Sequence, residues 1–431
     1  MLDFVSIKNF RSIVELELPL NYGEAKAPNG HQEWTTIPFL ELKGCRAVPV
    51  LGLFGANASG KSNVIQALGI LKKLLVGGHS PSLFMPNRLH KGYEGTFLEI
   101  QGALRNIGVF RYSVGFDATE IRAECLEANG KVIFSQEGKE LSLDGLQKRF
   151  YERERLLDIY KVECLNQDGR HTGCILSRIA QNYAGLNATA AAVHKALTSQ
   201  LDVFENNAFS GRDGLRMLID SLGGDADVQT AFTEIDTMLR KLDLGILRME
   251  YHPELGKDVP DIAEAIRTFH KDESGREVQF SLVEESMGTR AAFGLLGVCL
   301  AALHSGKTLV IDEIDSSLHS LLVTEIIRLF KEKKYNTANA QLVFSAHNTD
   351  LLDRELLRVS EVGIVNKNLK HGSVLKRLCD FEGIRNVTNF RKQYLEGRFS
   401  GIPFPYLRGG HHGTSGAILS NRYFRKSYHF F

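Results

Sequence analysis

Apolar positions change period several times along the chain. Residues 2–20 alternate in FVSIKNF and VELELPL, and this period of two predicts two short strands. Residues 21–46 are rich in Gly, Pro and polar groups and read as a loop or hairpin. VPVLGLF (48–54) is a continuous apolar run, the pattern of a strand buried on both faces. A Gly-rich turn follows, and SNVIQALGILKKLL (62–75) has helical spacing. Residues 76–95 read as loop. Residues 96–134 alternate again, with β-branched and aromatic side chains in FLEIQGAL, VFRYSVGF and KVIF, and predict an antiparallel sheet.

Between about 142 and 275 the period becomes helical, in LDGLQKRFYERERLLDIY, AAAVHKALTSQLDVF, DVQTAFTEIDTMLRKL and DIAEAIRTFHK. Strand-like runs return at VQFSLVE (278–284), TLVIDE (308–313) and QLVFSAH (341–347), with helices expected at 289–304 and 317–334. This pattern predicts an α/β core, a mixed sheet with an antiparallel β part, interrupted by a mainly helical insertion. The expected units are 1–140, 141–277 for the insertion, 278–403, and a tail at 404–431. The tail holds Gly, aromatics, Arg408, Arg422, Arg425 and Lys426 without an acid. It reads as a flexible or appended end, or as a docking or nucleic-acid-contacting segment.

Composition narrows the class only a little. The chain has 431 residues, 43% hydrophobic and 24% charged, enough for a core and more than one module. Lys and Arg number 52 against 51 Asp and Glu, so net charge argues for neither nucleic acid nor membrane. No run of about 18 apolar residues and no signal-peptide core is evident. Cys45, Cys125, Cys164, Cys174, Cys299 and Cys379 form no CxxC pair, which speaks against zinc or a disulfide scaffold and fits a reducing cytoplasm. The basic runs Lys72-Lys73 and Lys331-Glu332-Lys333-Lys334 read as solvated helix faces, and Arg153 and Arg155 as surface pairs with Glu.

The chemistry sits at the ends of the apolar strands. Gly55-Ala-Asn-Ala-Ser-Gly60-Lys61-Ser62 matches GxxxxGK[ST] between an apolar strand and a helix. Such a turn points backbone N–H groups at phosphate oxygens, helped by the helix dipole. Lys61 would reach the β- and γ-phosphates of ATP, and the Ser62 hydroxyl would ligate Mg²⁺. Asn57, Gly60 and Asn63 complete the expected nucleotide contacts. TLVIDEIDSSLH (308–319) has the Walker B form, in which Asp312 would hold Mg²⁺ and Glu313 would act as general base. His347 ends a buried strand, where open α/β sheets place ligands, and would sense the γ-phosphate. Ser286 and Gly288, before RAAFGLLGVCLAAL, suit an anion at a helix N-terminus, while a plain N-cap explains Ser286 equally well.

Taken in order, the Walker A turn, long insertion, Ser-x-Gly-Thr segment, Walker B with Asp-Glu, Ile314-Asp315-Ser316 and His347 resemble ABC-type ATPase heads of the SMC, RecF and OLD group. IKNFRSI (7–13) is similar to that group's first strand and turn, and implies that Asn9 or Arg11 lies near nucleotide phosphates. EIDSSLH, FSAHNTDLLD and YLEGRFSGIP (394–403) are similar to the short ATPases of bacterial anti-phage operons, the RloA-, AriA- and PtuA-like abortive-infection group. The resemblance covers roughly 1–140 and 278–403. It implies an ATPase whose heads close as a homodimer or higher oligomer, Ser286 and Gly288 of one covering the nucleotide of the other. A cytoplasmic phage-defence sensor is the implied role, controlling a separate nuclease or toxin from the same operon. The alternative is a RecF-like repair ATPase on duplex DNA. A transporter subunit fits least, because of the long insertion. Ser-Met-Gly-Thr departs from the transporter-type Ser-Gly-Gly-Gln. Gln101 is the candidate Q-loop residue, with an ordinary sheet position as its other reading. The insertion is too short for a long coiled coil, and too little follows His347 for a metal-binding nuclease domain.

Overall fold

The computed structural model describes residues 1–22, 37, 40–42, 45–90, 92–143, 154, 157–158, 160–182, 187–205, 211–222, 228–242, 245–252, 262–368, 372–384 and 389–401. Arg153, Arg155 and the 404–431 tail lie outside these. The first strands, β1 (Leu2–Phe10) and β2 (Ile13–Pro19), form a hairpin closed by Phe10 opposite Ile13. A small hairpin of β3 (Leu40–Leu42) and β4 (Cys45–Ala47) precedes β5 (Val50–Phe54) and helix α1 (Lys61–Gly77). An antiparallel run follows: β6 (Thr96–Leu104), β7 (Gly108–Phe116), β8 (Ile121–Ala128), β9 (Lys131–Glu137) and β10 (Glu140–Ser142). Then come α2 (Ile175–Asn182), α3 (Ala188–Thr198), β11 (Leu201–Phe204), α4 (Gly211–Ser221) and α5 (Val228–Leu239). A separate three-stranded sheet holds β12 (Arg248–Tyr251), β13 (Ile266–Lys271) and β14 (Glu277–Ser281), with β13 in the middle. Among the described residues there follow α6 (Met287–Ser305), β15 (Thr308–Ile311), α7 (Ser320–Lys331), β16 (Gln341–Ser345), β17 (Val362–Asn368), β18 (Gly372–Arg377) and α8 (Phe390–Leu395).

Thirteen strands make one mixed sheet, in the order β10-β9-β8-β7-β6-β1-β2-β18-β17-β5-β16-β15-β11. The last five run parallel, and their carboxyl ends lie side by side. Strand alternation splits the core in two. Leu51, Leu53, Val310 and Val343 pack on one face with α1, while Val50, Phe54, Leu309, Ile311, Leu342 and Phe344 pack on the other with α6 and α7.

Helix α6 is apolar nearly all round. It is the one helix among the described residues long and apolar enough to cross a membrane, yet 72% of its apolar window is buried inside the protein, as in a core helix. It crosses α4 at glycines. A Cβ on Gly214 would stand 2.3 Å from the Gly294 carbonyl oxygen, and one on Gly297 would stand 2.5 Å from the Gly214 carbonyl carbon. Only hydrogen fits at that crossing.

The structure corrects the sequence reading in four places. LDVF (201–204) was expected as helix, but it pairs in parallel with β15 as the edge strand of the main sheet, so the insertion contributes to the core it interrupts. DIAEAIRTFHK was also expected as helix. Residues 262–265 form a 3₁₀ turn and 266–271 form β13, because β12 pairs with its β-branched Ile266 and both β12 and β14 pair with its Thr268. VQFSLVE is strand only to Ser281, where a 3₁₀ turn takes over. Lys331 is not on a solvated face: it is 5% exposed and its Nζ lies 2.5 Å from Glu361 Oε2. Burial would raise the Glu361 carboxyl, but Lys331 and Arg358 outweigh burial and hold it below its usual range. Lys73 is on a solvated face, 54% exposed while pairing with Glu205, and Lys72 is half-buried beside Asp202.

Candidate nucleotide site

The turn between β5 and α1 is shaped by glycine. Gly55 has φ +151° and a Cβ there would lie 2.2 Å from the Val365 carbonyl oxygen. Gly60 has φ +109°, and a Cβ there would strike Ser373 Oγ at 2.1 Å. Helix α1 starts at Lys61 with no side chain capping it and no acid in its first turn. Its first N–H groups therefore suit an external anion. Lys61 is 4% exposed and its Nζ donates to the carbonyls of Gly55 (2.8 Å) and Ala56 (3.1 Å). Burial lowers its pKa, while Asp312, Glu313 and Asp315 pull it back up. A buried ammonium facing three carboxylates, with a buried Ser59 hydroxyl lacking any partner beside it, fits a phosphate chain and a divalent cation between them.

The acidic half is held by β16. Ile311 pairs with Phe344, so the next residues, Asp312 and Ser345, stand at one level. Ser345 Oγ donates to Asp312 Oδ1 at 2.5 Å and accepts from Glu313 N at 2.7 Å. Glu313 adopts φ +52°, a left-handed backbone that costs a non-glycine residue about 1–2 kcal/mol. The Ser345 bond and the bond from Ile314 N to Ser345 O (3.0 Å) hold that conformation. His347 Nε2 lies 3.3 Å from Glu313 Oε1. The Asp315 carboxylate accepts from the backbone N–H of His347 (2.9 Å) and Asn348 (2.6 Å), tying the segment after β15 to the one after β16.

Other expected residues are placed differently. Asn9 is 2% exposed and its amide is spent on Gly95 O (3.0 Å) and Asn87 N (3.0 Å). It therefore anchors the loop before β6 and does not face the turn. Arg11 is exposed, with φ +48° and Nη2 3.2 Å from Met85 Sδ, and the next residue borders the turn. Asn63 does not point at the phosphate position: its Nδ2 donates to Ser12 Oγ at 2.6 Å. Ser12 passes a hydrogen bond to Ser373 Oγ (2.6 Å), which donates to Ser59 O (2.6 Å). This relay fixes the turn from β18 and the first hairpin. Asn57 is exposed on the turn and Ser62 half-buried beside Lys61. Gln101 sits on β6 opposite Phe4 and donates to Glu99, the ordinary sheet position, six residues along β1 from its end at Phe10. Ser286 caps α6, accepting from Thr289 N at 3.1 Å, and Gly288 packs against the Ser317 carbonyl. Within one chain the contacts of this segment are to Thr289 and the Ser317 carbonyl, while the carboxylates that act on Lys61 are Asp312, Glu313 and Asp315.

Sequence reasoning missed Ser12, Ser345 and Ser373. Ser345 had a signal, since two aligned apolar strands ending at Asp312 and Ser345 put those residues side by side. Ser373 had none, lying 361 residues from Ser12 on a late strand.

A family model described as "AAA domain, putative AbiEii toxin, Type IV TA system" matches residues 50–353. No curated protein sequence matches the chain. Among solved structures, the chain is similar to the Smc head domain with a coiled coil and joint from Pyrococcus yayanosii, at 11% identity and a TM-score of 0.44, over 92% of this chain and 99% of that one. The family model runs from the start of β5 to Asp353, well over half the chain, and takes in the glycine turn and the acid-ended strand alike. The chain therefore belongs to this family of AAA-type ATPases.

Proposed function

We propose that the protein is an ATP-hydrolysing switch that works as a pair of copies. The observation carrying this reading is the constellation at the sheet edge: Asp312, Glu313 and His347 held by Ser345 and Asp315, opposite the buried Lys61. Lys61 holds the β- and γ-phosphates, and the turn's N–H groups hold the rest of the chain of phosphates. Ser62 and Asp312 provide oxygen ligands for Mg²⁺. Bound magnesium would supply charge neutralisation between the β- and γ-phosphate oxygens. Glu313 accepts a proton from the attacking water, and His347, 3.3 Å from Glu313, takes the role of γ-phosphate sensor. Arg11, the residue before Ser12, contributes positive charge near the turn.

The Ser286 segment faces outward, so it serves a second copy. Around it Val278, Phe280, Val283 and Met287 are all more than a third exposed, Met287 by 65%, an apolar rim suited to cover by a homodimer mate. Hydrolysis removes the charge joining the two copies and loosens them. The family description names an abortive-infection-type toxin, which favours a phage-defence role in which this switch restrains or releases a separate effector, a nuclease or toxin.

Replacing Glu313 with Gln tests the chemistry. ATP turnover is expected to fall at least about a hundredfold, the scale of losing a general base, with ATP-dependent pairing retained. Unchanged turnover refutes the role. Phage plating with and without the adjacent gene tests the defence reading. ATPase activity stimulated by duplex DNA and falling steeply with salt would favour repair instead.

A further inference from the structure

We infer that His270 is a positioning residue for the Ser286 segment, acting through Glu285. This rests on the reading of Ser286 as the group that covers another copy's nucleotide. The chain reaches Ser286 from β14 through the 3₁₀ turn 282–284, closed by a capping box of Ser281 and Glu284. Ser286 then caps α6. Glu285 lies between the two caps and turns inward, its side chain only 10% exposed, while Val283 and Met287 on either side face solvent.

What Glu285 meets inside is the small sheet. His270 Nε2 lies 2.7 Å from Glu285 Oε1, and Thr268 Oγ1 donates to the same oxygen. Both donors are on β13, the central strand, paired on one side with β12 and on the other with β14. Thr268 is fully buried, and the His270 ring is set edge-on to Phe280 at 5.4 Å. The donors are therefore fixed, and a carboxylate one residue before Ser286 is fixed by them. Rigid packing transmits such a placement because a packed sheet has no soft mode at this scale. Most of this sheet belongs to the 141–277 segment, so a shift of that segment would move Ser286 through Glu285.

The test compares His270→Ala, Glu285→Ala, the double variant, His270→Gln, Glu285→Gln and Ser286→Ala in the full chain. ATP turnover, ATP-dependent pairing by sedimentation, binding of a fluorescent ATP analogue to monomer, and thermal melting are read for each. Each alanine variant is expected to lose about tenfold in turnover and to pair more weakly, with analogue affinity within about twofold of the parent. The double variant should be no worse than the more damaged single one, since both break one interaction. The Gln variants, which keep a donor or an acceptor in place, should recover most of the loss.

Parent-like turnover in the alanine variants, additive losses in the double, or losses matched by weaker analogue binding would overturn the inference. If Ser286→Ala slows turnover while the His270 and Glu285 variants do not, only the inference fails. If Ser286→Ala is itself without effect, the reading beneath it fails as well.

Discussion

Replacing Glu124 with Gln isolates a titration built into the antiparallel half of the sheet. Glu124 lies on β8 and is wholly buried. Its carboxyl accepts from Tyr112 Oη (3.0 Å), Ile175 N (2.7 Å) and Leu176 N (2.9 Å), capping the first turn of α2. Burial raises its pKa from 4.5 to about 7, against the opposite pull of those three donors. Between pH 4.5 and 7 the native chain thus keeps a proton that the unfolded chain has released, so stability falls as pH rises through that window. The gap of 2.5 pH units, at about 1.4 kcal/mol each, makes the effect about 3 kcal/mol. His171 runs the other way: burial lowers it from 6.5 to about 4, so it adds stability as pH rises from 4 to 6.5. The two oppose each other in the parent protein, with His171 Nε2 3.9 Å from Glu124 Oε2, and the variant removes the Glu124 part. Gln keeps an acceptor for α2 but does not titrate. Urea unfolding of parent and variant at pH 4.5, 5.5, 6.5 and 7.5, with hydrogen exchange at Ile175 and Leu176, gives the difference in stability. The variant should gain about 3 kcal/mol on the parent between the lowest and highest pH. A difference that is constant with pH, or that shrinks, refutes the reasoning.

Gly214→Ala should cost about 1–3 kcal/mol and lower the melting temperature, because its Cβ collides with the Gly294 backbone. Gly77→Ala, with nothing within 4 Å, should melt like the parent. Ser345→Ala removes the donor to Asp312 and the acceptor for Glu313 N, so phosphate release in a single turnover should slow about tenfold or more while nucleotide affinity holds. Asn63→Ala should weaken ATP binding only a few-fold by calorimetry, since it acts through Ser12, whereas Lys61→Ala should abolish it.

The parallel core was legible because its strands are short apolar runs with no competing pattern, and each ends in residues that announce chemistry. Val50–Phe54, Thr308–Ile311 and Gln341–Ser345 were all placed by that signal alone. The alternating strands of residues 96–134 were legible for the same reason. The 141–277 segment was less so, because LDVF and IRTFHK are too short to show a period; LDVF becomes a strand through a neighbour distant in sequence, and IRTFHK through a hairpin turn at 272–276. Site residues followed the same division. Side chains on the turn and the strand ends were named in advance, whereas Asn63 was assigned to nucleotide when the structure gives it to Ser12. That exchange depends on a hairpin 51 residues away, which no local pattern carries. Of the alternatives Asn9 and Arg11, Asn9 drops out for a related reason, since its left-handed backbone turns its amide toward the loop at 87–95.

The segment between the Walker A turn and the Ser286 segment solves a local problem for α1. A helix leaves its last carbonyls short of intrahelical partners, and at the far end of α1 the Gly78 N–H closes one of them, Leu74 O, at 2.8 Å. Further donors come from the segment. Ser177 Oγ donates to Leu75 O at 2.6 Å, with His194 Nε2 3.3 Å from the same oxygen, and Cys174 Sγ donates to Leu74 O at 3.5 Å. Lys72, a turn earlier, donates to Leu201 O at 2.6 Å, on β11 beside β15. One end of α1 is thus left open for phosphate and the other is closed by side chains from α2 and α3. The same segment, through β13, holds Glu285 beside Ser286. A ligand or effector that displaced it would act on both parts of the proposed nucleotide cage, which is the coupling a switch of this design requires.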